Sequence, residues 1–220
     1  MNLTEEEFLK NYDSTEFQKP SVAVDLVLFT IRNEQLQVLL TERRQYPFIG
    51  KQALPGVFVR MDETLDESAQ RALYQKTGLH DIYLEQLYTW GALDRDPRMR
   101  IISVSYYALV PDSEIPDSEQ EKFFPVEEIL QREDIAFDHR EIIRYGRERI
   151  RNKVSYTDIA FSLVPEEFTL PQLQKIYEIL LGQKLYKANF RKKIADKIQP
   201  TEKLTSGSKH RPSRIYRKKD

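Results

Sequence analysis

The charged residues of this chain are divided unevenly along its length. Residues 1–150 contain 18 lysines and arginines against 28 aspartates and glutamates, whereas residues 151–220 contain 16 against 7. The net charge of -1 therefore conceals an acidic part and a basic part. This asymmetry predicts two domains, which we place at residues 1–152 and 153–220. The basic part is suited to a polyanion, and nucleic acid is the most common one in cells.

The composition excludes several kinds of site. The chain has no cysteine, so it has no disulfides, iron–sulfur clusters or thiolate zinc sites. Its three histidines, His80, His139 and His210, are too scattered for a zinc site. The longest uncharged stretch, residues 101–111, is too short to span a bilayer, and the acidic N-terminus does not resemble a signal peptide. We therefore expect a soluble, cytoplasmic protein with no membrane partner.

The basic part has the pattern of a winged helix. From Thr169, apolar residues recur at helical spacing up to Gly182, which predicts a buried helix and argues against a disordered basic tail. A second helix is predicted over residues 185–198, with one apolar face, one cationic face and an end at Pro200. Two short strands around a loop of Ser, Gly and Pro are predicted within residues 202–218.

In a winged helix, the second helix enters the major groove and the hairpin contacts the flanking backbone. Asn189 is therefore a candidate adenine reader, and the cations beside it are candidates for guanine or phosphate contacts. The candidate DNA-binding residues are Lys187, Asn189, Arg191, Lys192, Lys193, Lys209, His210, Arg211 and Arg214. The alternative is a solvated charged surface with no nucleic-acid partner.

The acidic part alternates predicted strands and helices. Ser21–Arg32 and residues 35–41 are β-rich runs separated by a short turn, which predicts a hairpin. A capping box at Thr64 opens a helix that Gly78 stops. Further strands are predicted at residues 57–59, 83–90 and 101–110, and a further helix at residues 138–150. Such interleaving is typical of an α/β or α+β layer fold.

The segment LPGVFVRMDETLDESAQRALYQKTGL, at residues 54–79, resembles the Nudix box, G-x5-E-x7-R-E-U-x-E-E-x-G-U, where U is a large aliphatic residue. The matching positions are Glu63, Arg71, Leu73, Gly78 and Leu79. The departing positions are Val57, Ala72, Gln75 and Lys76. In Nudix hydrolases, glutamates of this helix hold Mg²⁺, which requires anionic oxygen ligands. We therefore expect no metal, no catalytic residue and no enzyme activity, and we expect Lys76 to suit a phosphate group instead.

A degenerate Nudix box followed by a basic winged helix resembles the Nudix-related transcriptional regulators, the NrtR family. The resemblance begins near Ser21 and continues to the C-terminus. It includes PFIGKQALPG at residues 47–56, GALDRDPR at 91–98, FTLPQLQKIYEILLG at 168–182 and NFRKKI at 189–194. It implies an α+β protein in which a Nudix-type α/β/α sandwich precedes a winged helix.

The same resemblance implies a function. The chain would be a homodimeric repressor of NAD-biosynthesis or salvage genes that binds a double-stranded DNA operator. ADP-ribose or a related nucleotide would release it, and no cofactor would be needed. The helix at residues 138–150 joins the two parts and is the candidate for carrying the change between them.

The implied effector pocket is lined by strand ends and by the loop at residues 94–98. Guanidinium groups match phosphate oxygens in geometry, so arginines near these loops are candidate diphosphate partners. The candidate effector-binding residues are Arg43, Arg44, Arg60, Glu63, Lys76, Arg95 and Arg98. Phe58, Trp90 and Tyr106 are candidates for stacking on an adenine, although aromatic residues in strands are core residues by default.

Two alternatives stay open. The same architecture would respond to a sugar such as a pentose if a site without its metal ligands had no preference for diphosphates. An ADP-ribose hydrolase would need displaced metal ligands and a base such as Glu114, Glu119 or Glu121.

Overall fold

A seven-stranded sheet forms the centre of the N-terminal part. The computed structural model describes residues 4–116, 121–205 and 212–219. The strands of the sheet are β1 (Ser21–Arg32), β2 (Gln35–Glu42), β3 (Gln52–Ala53), β4 (Gly56–Phe58), β5 (Glu85–Trp90), β6 (Ile101–Leu109) and β7 (Glu121–Pro125). The strand order is β3-β2-β1-β6-β5, with β4 also paired to β1 and β7 to β2. Only the pairing of β1 with β6 is parallel among these described strands.

The predicted hairpin is confirmed as β1 and β2. Arg32 lies opposite Gln35, so the loop consists of Asn33 and Glu34 alone. Both loop residues have positive φ, 50° and 60°, as a two-residue turn that follows the twist of the strands requires. Asn tolerates this conformation better than most residues, which explains the sharp reversal at this point.

Helices cover both faces of the sheet. The helices of this part are α1 (Glu5–Asn11), α2 (Leu65–Thr77), α3 (Val126–Ile129) and α4 (His139–Lys153). Side chains of β1 alternate between the faces. Val24, Leu26 and Leu28 pack with α2 in one apolar cluster, whereas Val27 and Phe29 pack with α4 in another. The predicted α/β/α sandwich is therefore confirmed.

The predicted ends of α2 are also confirmed. The Thr64 side chain accepts from the Glu67 backbone N–H, and the Glu67 carboxylate accepts from the Thr64 backbone N–H. Gly78 ends the helix in the left-handed conformation, with φ 70°. Such a reciprocal cap fixes the helix start, so the loop before α2 is held at one position.

The C-terminal part is a winged helix. Its elements are β8 (Phe168–Thr169), α5 (Leu170–Leu181), α6 (Lys187–Ile194), β9 (Ile198–Leu204) and β10 (Arg214–Lys218). The three strands form a separate sheet in the order β8-β10-β9. Thr169 caps α5 and Gly182 ends it with φ 68°, as predicted.

The predicted extent of the second helix was wrong. α6 ends at Ile194, a 3-10 turn follows, and Ile198 opens β9. Pro200 lies within β9, opposite Tyr216, and does not end a helix. Ile198 is buried in either arrangement, so its spacing from Ile194 did not distinguish a helix from a strand. Proline is tolerated here because β9 lies at the edge of its sheet.

The two parts share one hydrophobic core. The cluster that includes Val27 and Phe29 of the large sheet continues through Ile150 and Phe161 to Tyr177 of α5. A salt bridge between Lys175 and Glu34, 2.6 Å long, joins the parts at the surface. The boundary between residues 152 and 153 stays a prediction, and in the structure it lies at the end of α4, against this shared core.

Among the described helices, none combines the length and the hydropathy that a membrane span requires.

Gly56→Ala is expected to destabilise the protein. A Cβ at this position would lie 2.4 Å from the Asp25 Oδ1 and 2.8 Å from the Val24 carbonyl oxygen. The pairing of β4 with β1 would have to open, and we expect the free energy of unfolding to fall by about 1–3 kcal/mol. Urea unfolding measures this change.

Gly91→Ala is the matched control. A Cβ there would have as its nearest neighbour the Arg100 Nη2 at 3.7 Å. We expect a change below about 0.5 kcal/mol. Equal losses in the two variants would contradict the close approach at Gly56.

Candidate ligand cleft and nucleic-acid interface

Two adjoining cavities form a cleft beside the large sheet. The outer cavity has a volume of about 700 Å³ and the inner one of about 210 Å³. Both are lined by Arg43, Gln45, Leu54 and Gly56, so they adjoin each other. The residues that line the two cavities include the end of β2, the loop after β2 and β4, the strand that precedes the Nudix-like helix α2.

The outer cavity is cationic. Arg43, Arg44, Lys76 and Lys122 line it, whereas Glu42 is its single acidic residue among those described. Arg44, Lys76 and Lys122 form no ion pair with another described residue. Lys76 is supplied by α2, at a position where the Nudix box has a glutamate. This charge distribution favours a phosphate-bearing ligand and disfavours a metal ion.

The inner cavity combines arginines with aromatic rings. The Arg43 Nε donates to the Pro47 carbonyl at 2.7 Å, and its guanidinium carbon lies 4.7 Å from the Phe137 ring centroid. The Arg98 guanidinium lies 5.8 Å from the ring centroid of Phe58. Phe58, which is 45% exposed, and Phe137 both line this cavity, so a planar ligand group has aromatic surfaces to pack on.

Arg98 is held by a carboxylate in the same loop. Its Nε and Nη2 donate to the two carboxylate oxygens of Asp96 at 3.0 and 2.8 Å. The Arg98 side chain is 40% exposed, whereas that of Asp96 is buried. The neighbouring guanidinium holds the pKa of Asp96 below its ordinary value despite the opposing effect of burial. Arg98 therefore presents a guanidinium whose orientation is fixed before any ligand arrives.

Arg95 lies deeper and its charge is already balanced. Its Nε and Nη2 donate to the carboxylate of Asp138 at 2.9 and 2.7 Å, and its Nη2 lies 3.5 Å from Asp25. Asp25 also accepts from the Ser103 hydroxyl at 2.5 Å. Arg95 lines the inner cavity, but its buried side chain mainly joins the loop to β1 and to the start of α4. A contact of Arg95 with an effector stays a prediction.

His139 completes this buried network. Its Nδ1 accepts from the Leu54 backbone N–H at 2.9 Å, so the proton of the neutral ring is on Nε2, which lies 3.7 Å from Asp25. Burial lowers the pKa of His139. From the sequence, His139 was considered only as a zinc ligand and was excluded as one. The sequence signal that could have pointed to a place in this network was the position of His139 directly after Asp138, at the start of α4.

Glu63 has a structural role in the Nudix-like loop. Its carboxylate accepts from Arg71 at 2.5 and 2.9 Å and from the Ser68 hydroxyl at 2.8 Å. The ion pair with Arg71 lowers the pKa of Glu63 to about 2. Neither Glu63 nor the exposed Arg60 lines the two cavities. Within the described ranges, no group of three or more His, Cys, Asp or Glu residues is arranged to hold a metal ion.

Trp90 and Tyr106 are packing residues outside the two cavities. The Trp90 indole donates to the Ser105 hydroxyl at 2.9 Å and packs on Tyr145, with ring centroids 5.9 Å apart. The buried Tyr106 hydroxyl donates to Asp66 at 2.6 Å. Of the three aromatic residues considered for adenine stacking, Phe58 alone lines the cleft.

The cleft contains residues that the sequence did not suggest. Lys122 lies on β7, a strand that was not predicted, and Phe137 lies in the loop before α4. Of the carboxylates considered as a base, Glu119 and the side chain of Glu121 lie outside the described part of the chain, and Glu114 lies in a 3-10 turn away from the cleft.

α6 presents a polar, cationic face to solvent. Phe190 and Ile194 are buried, while the opposite face is exposed. The exposed residues are Lys187, Asn189, Arg191, Lys192 and Lys193, and Arg214 is exposed on β10. Lys209, His210 and Arg211 lie outside the described residues.

The cations of the C-terminal part fall into two groups. Lys197 and Lys218 pair with Asp158, whereas Lys203 and Arg217 pair with Glu167. The cations of α6 and Arg214 form no ion pair with another described residue. Within the described residues, α6, the helix that a winged helix inserts into the major groove, thus carries cations without an ion-pair partner.

Comparison with known proteins agrees with both halves of this arrangement. The NUDIX domain family model matches residues 20–146, and the NrtR DNA-binding winged helix domain model matches residues 160–217. The ADPR responsive transcriptional repressor NtrR of Acinetobacter baylyi is 37% identical over 222 residues, which cover 97% of this chain and 88% of that protein.

Two solved structures are also similar. The NrtR of Shewanella oneidensis complexed with a 27mer DNA is 37% identical, with a TM-score of 0.79 over 90% of this chain and 93% of that one. The NUDIX domain of the same NrtR complexed with ADP ribose is 38% identical, with a TM-score of 0.60 over 67% of this chain and 99% of that one.

The neutral state of His139 predicts a loss of stability in acid. Because its pKa is lowered in the folded protein, the unfolded chain takes up the proton first as the pH falls. Below about pH 6.5, His139 should reduce the free energy of unfolding by up to about 1.4 kcal/mol per pH unit. Urea unfolding between about pH 7.5 and 5.5 measures the slope.

His139→Gln is the comparison, since its amide oxygen can accept from the Leu54 N–H but does not titrate. The variant should lose stability less steeply than the natural protein over the same pH range. Parallel slopes would show that His139 is not held neutral by the fold.

Proposed function

This chain belongs to the NrtR family of Nudix-related transcriptional regulators, and we propose that it is a DNA-binding repressor whose Nudix domain binds ADP-ribose. The observation that carries the proposal is the presence of two separate cationic surfaces, the outer cavity of the cleft and the exposed face of α6. The first is concave and suits a small anion. The second is a helix face of the size that duplex DNA accepts in its major groove.

We propose that the diphosphate occupies the outer cavity. Arg44, Lys76 and Lys122 are cations there that form no ion pair with another described residue and can meet phosphate oxygens. The inner cavity, with Phe58 and Phe137, is then placed to receive a planar or ribosyl end of the ligand. Lys76 supplies in this pocket a fixed positive charge where a hydrolase would use a metal.

The residues at the Nudix-box positions argue against hydrolysis. Ala72 is buried and Gln75 is exposed and uncharged, so neither supplies an anionic ligand for Mg²⁺. Glu63 is engaged by Arg71 and Ser68. We therefore propose that the domain binds its nucleotide and releases it unchanged.

On the DNA side, we propose that Asn189 reads a base edge and that the surrounding cations contact phosphates. Asn is suited to an adenine in the major groove. We propose that the repressor acts as a homodimer on a two-fold related operator, because the symmetry of a dimer is mirrored in its site. The regulated genes would be those of NAD biosynthesis or salvage.

Repression is relieved only if the effector prefers the arrangement that cannot bind DNA. α4 begins at the Asp138–Arg95 pair beside the inner cavity and ends in the core shared with α5. We propose that ligand binding shifts α4 as a rigid element and so changes the spacing of the two recognition helices in the dimer.

Saturating ADP-ribose is expected to weaken operator binding by about 5- to 150-fold, the usual range of allosteric coupling. A labelled duplex selected from random sequence by binding to the protein serves as the operator, and fluorescence anisotropy measures affinity. Ribose tests the pentose alternative. Unchanged affinity at saturating ADP-ribose would reject it as the inducer, and a response to ribose would select the alternative.

Lys76→Ala should weaken ADP-ribose binding by about tenfold or more, because a charge-assisted hydrogen bond is lost. Lys51→Ala is the matched control, since Lys51 lies on the neighbouring loop but lines neither cavity. Calorimetry measures both. In the same samples with Mg²⁺, turnover in the ordinary enzyme range of about 1 to 10³ per second would contradict a purely regulatory domain.

Lys192→Ala should lower the salt dependence of operator binding by about one phosphate contact per protomer. Lys184→Ala is its control, because Lys184 is also exposed in the same domain but is paired with Glu178 at 3.2 Å. Affinities between about 50 and 200 mM salt give the slopes. Equal reductions in the two variants would mean that α6 does not form the DNA interface.

A further inference from the structure

The N-terminal arm, residues 4–20, is exposed along its whole length. It contains the seven-residue helix α1, which has a complete capping box at Thr4. No side chain of the arm is buried, and within the described residues its hydrogen bonds join residues of the arm itself. A helix this short is marginal in water without tertiary contacts. The arm therefore has the local signals of a helix but lacks the packing that would stabilise it.

One side of the arm is apolar. Phe8, Leu9 and Tyr12 share a face of α1 by their spacing, and the rings of Phe8 and Tyr12 lie 5.7 Å apart between centroids. These three side chains and Phe17 are each at least 50% exposed. Apolar side chains exposed together mark an interaction site. The arm also contains five carboxylates against two lysines, so a surface that covers it should be apolar with a cationic rim.

A second exposed apolar surface lies at the edge of the large sheet. The ring cluster consists of Tyr88 and Trp90 on the edge strand β5 and Tyr145 on α4, with ring centroids 5.1 to 5.9 Å apart. Tyr88 is 50% exposed and Tyr145 37%. The Arg149 guanidinium carbon lies 5.5 Å from the Tyr145 ring centroid. Tyr, Trp and Arg supply most of the binding energy in protein interfaces, so the ring cluster has the composition of a hot spot.

The α4 side of the ring cluster carries an excess of positive charge. The cations Arg149 and Lys153 share one carboxylate, that of Glu85, at 3.9 and 2.5 Å. Glu141, one turn before Tyr145, is balanced by Arg144. One positive charge is therefore left over beside the rings, opposite in sign to the net charge of the arm.

The loop after Trp90 is close to neutral. Arg100 donates to the Ala92 carbonyl at 2.8 Å and forms no ion pair with another described residue. The same loop contains the exposed Asp94. The whole rim thus keeps a positive balance, which complements the acidic arm.

The arm leaves the sheet at the same end as the ring cluster. β1 begins at Ser21, and Ala23 lies opposite Ser103, which in turn lies opposite Trp90. The root of the arm is therefore two strands from the cluster, a distance of about 10 Å. A two-fold axis beside β5 would bring each arm within reach of the ring cluster of the other copy. In the single chain both surfaces stay exposed, which favours a contact between copies over folding back.

We propose that the two copies of the homodimer exchange their N-terminal arms, so that the apolar side of α1 packs on the ring cluster of the other copy. The acidic first turn of α1 then meets the positive rim. The inference rests on the homodimer of the proposed function and goes beyond it by assigning the surfaces in contact. Since Tyr145 lies on α4, the exchanged arm contacts the helix that we propose to shift with ligand.

Cross-linking between two variants tests the exchange, and the absence of natural cysteines removes any background. Asn11→Cys labels the arm. Asn152→Cys labels the side of α4 that carries Tyr145, seven residues away, and both positions are exposed. A flexible bismaleimide should join the two variants into a covalent dimer when they are mixed, and neither variant alone should be joined efficiently.

The double variant Asn11→Cys/Asn152→Cys separates exchange from folding back. Exchange gives a covalent dimer on a denaturing gel. A link confined to one chain would overturn the proposal, because the arm would then cover its own cluster. Absence of any link between arm and α4 would overturn it too.

Sedimentation of the full chain measures the contribution of the contact to the dimer. Phe8→Ala and Tyr145→Ala should each raise the dimer dissociation constant by about tenfold or more, the effect of losing a hot-spot aromatic residue. Tyr83→Ala is the matched control, since Tyr83 is 78% exposed just before β5 but lies outside the ring cluster. Melting temperatures of the variants, which should match that of the natural protein, confirm that each is folded.

The same measurements distinguish this inference from the proposed function. Unchanged dissociation constants in Phe8→Ala and Tyr145→Ala, or an equal rise in Tyr83→Ala, would overturn the arm exchange. A natural protein that dimerises without cross-links between the two cysteine variants would leave the homodimer standing and reject the exchange alone. A natural protein that sediments as a monomer would reject both.

Discussion

The buried carboxylate of Asp25 is the interaction on which the ligand cleft depends. It lies on the central strand β1 and faces the Ser103 hydroxyl, the Arg95 guanidinium and the His139 ring. β4 can pair with β1 beside it because Gly56 has no side chain. Losing one partner of a buried ion pair commonly costs about 3–5 kcal/mol, because a charge is left without compensation. The strand, the arginine-bearing loop and the start of α4 are therefore fixed relative to one another by this group.

The local parts of the fold could be predicted from the sequence. β1, the α2 capping box and the ends of α5 follow from signals within a few residues of each element. α6 was predicted too long, because Ile198 has the same burial in a helix and in a strand. The pairing of β9 with β10, which decides between these states, involves residues distant in sequence.

The candidate site could be predicted as a set of charges with one aromatic residue, Phe58. Arg43, Arg44 and Lys76 were expected there and do line the cleft. Lys122 was missed because its strand pairs with β2 from about eighty residues away, a contact that no local pattern reports. The ion pair between Arg95 and Asp138 could not be predicted either, because the burial and pairing of Arg95 depend on how its loop packs against the start of α4.

The continuous core limits how the two parts of such a protein can be separated or recombined. A winged helix cut from this chain would expose the side chains with which Phe161 and Tyr177 join the large sheet. The chain should accordingly melt in a single cooperative transition, without an intermediate in which one part alone is folded. Grafting this sensor onto another DNA-binding module would require the contacts between the two parts to be redesigned along with it.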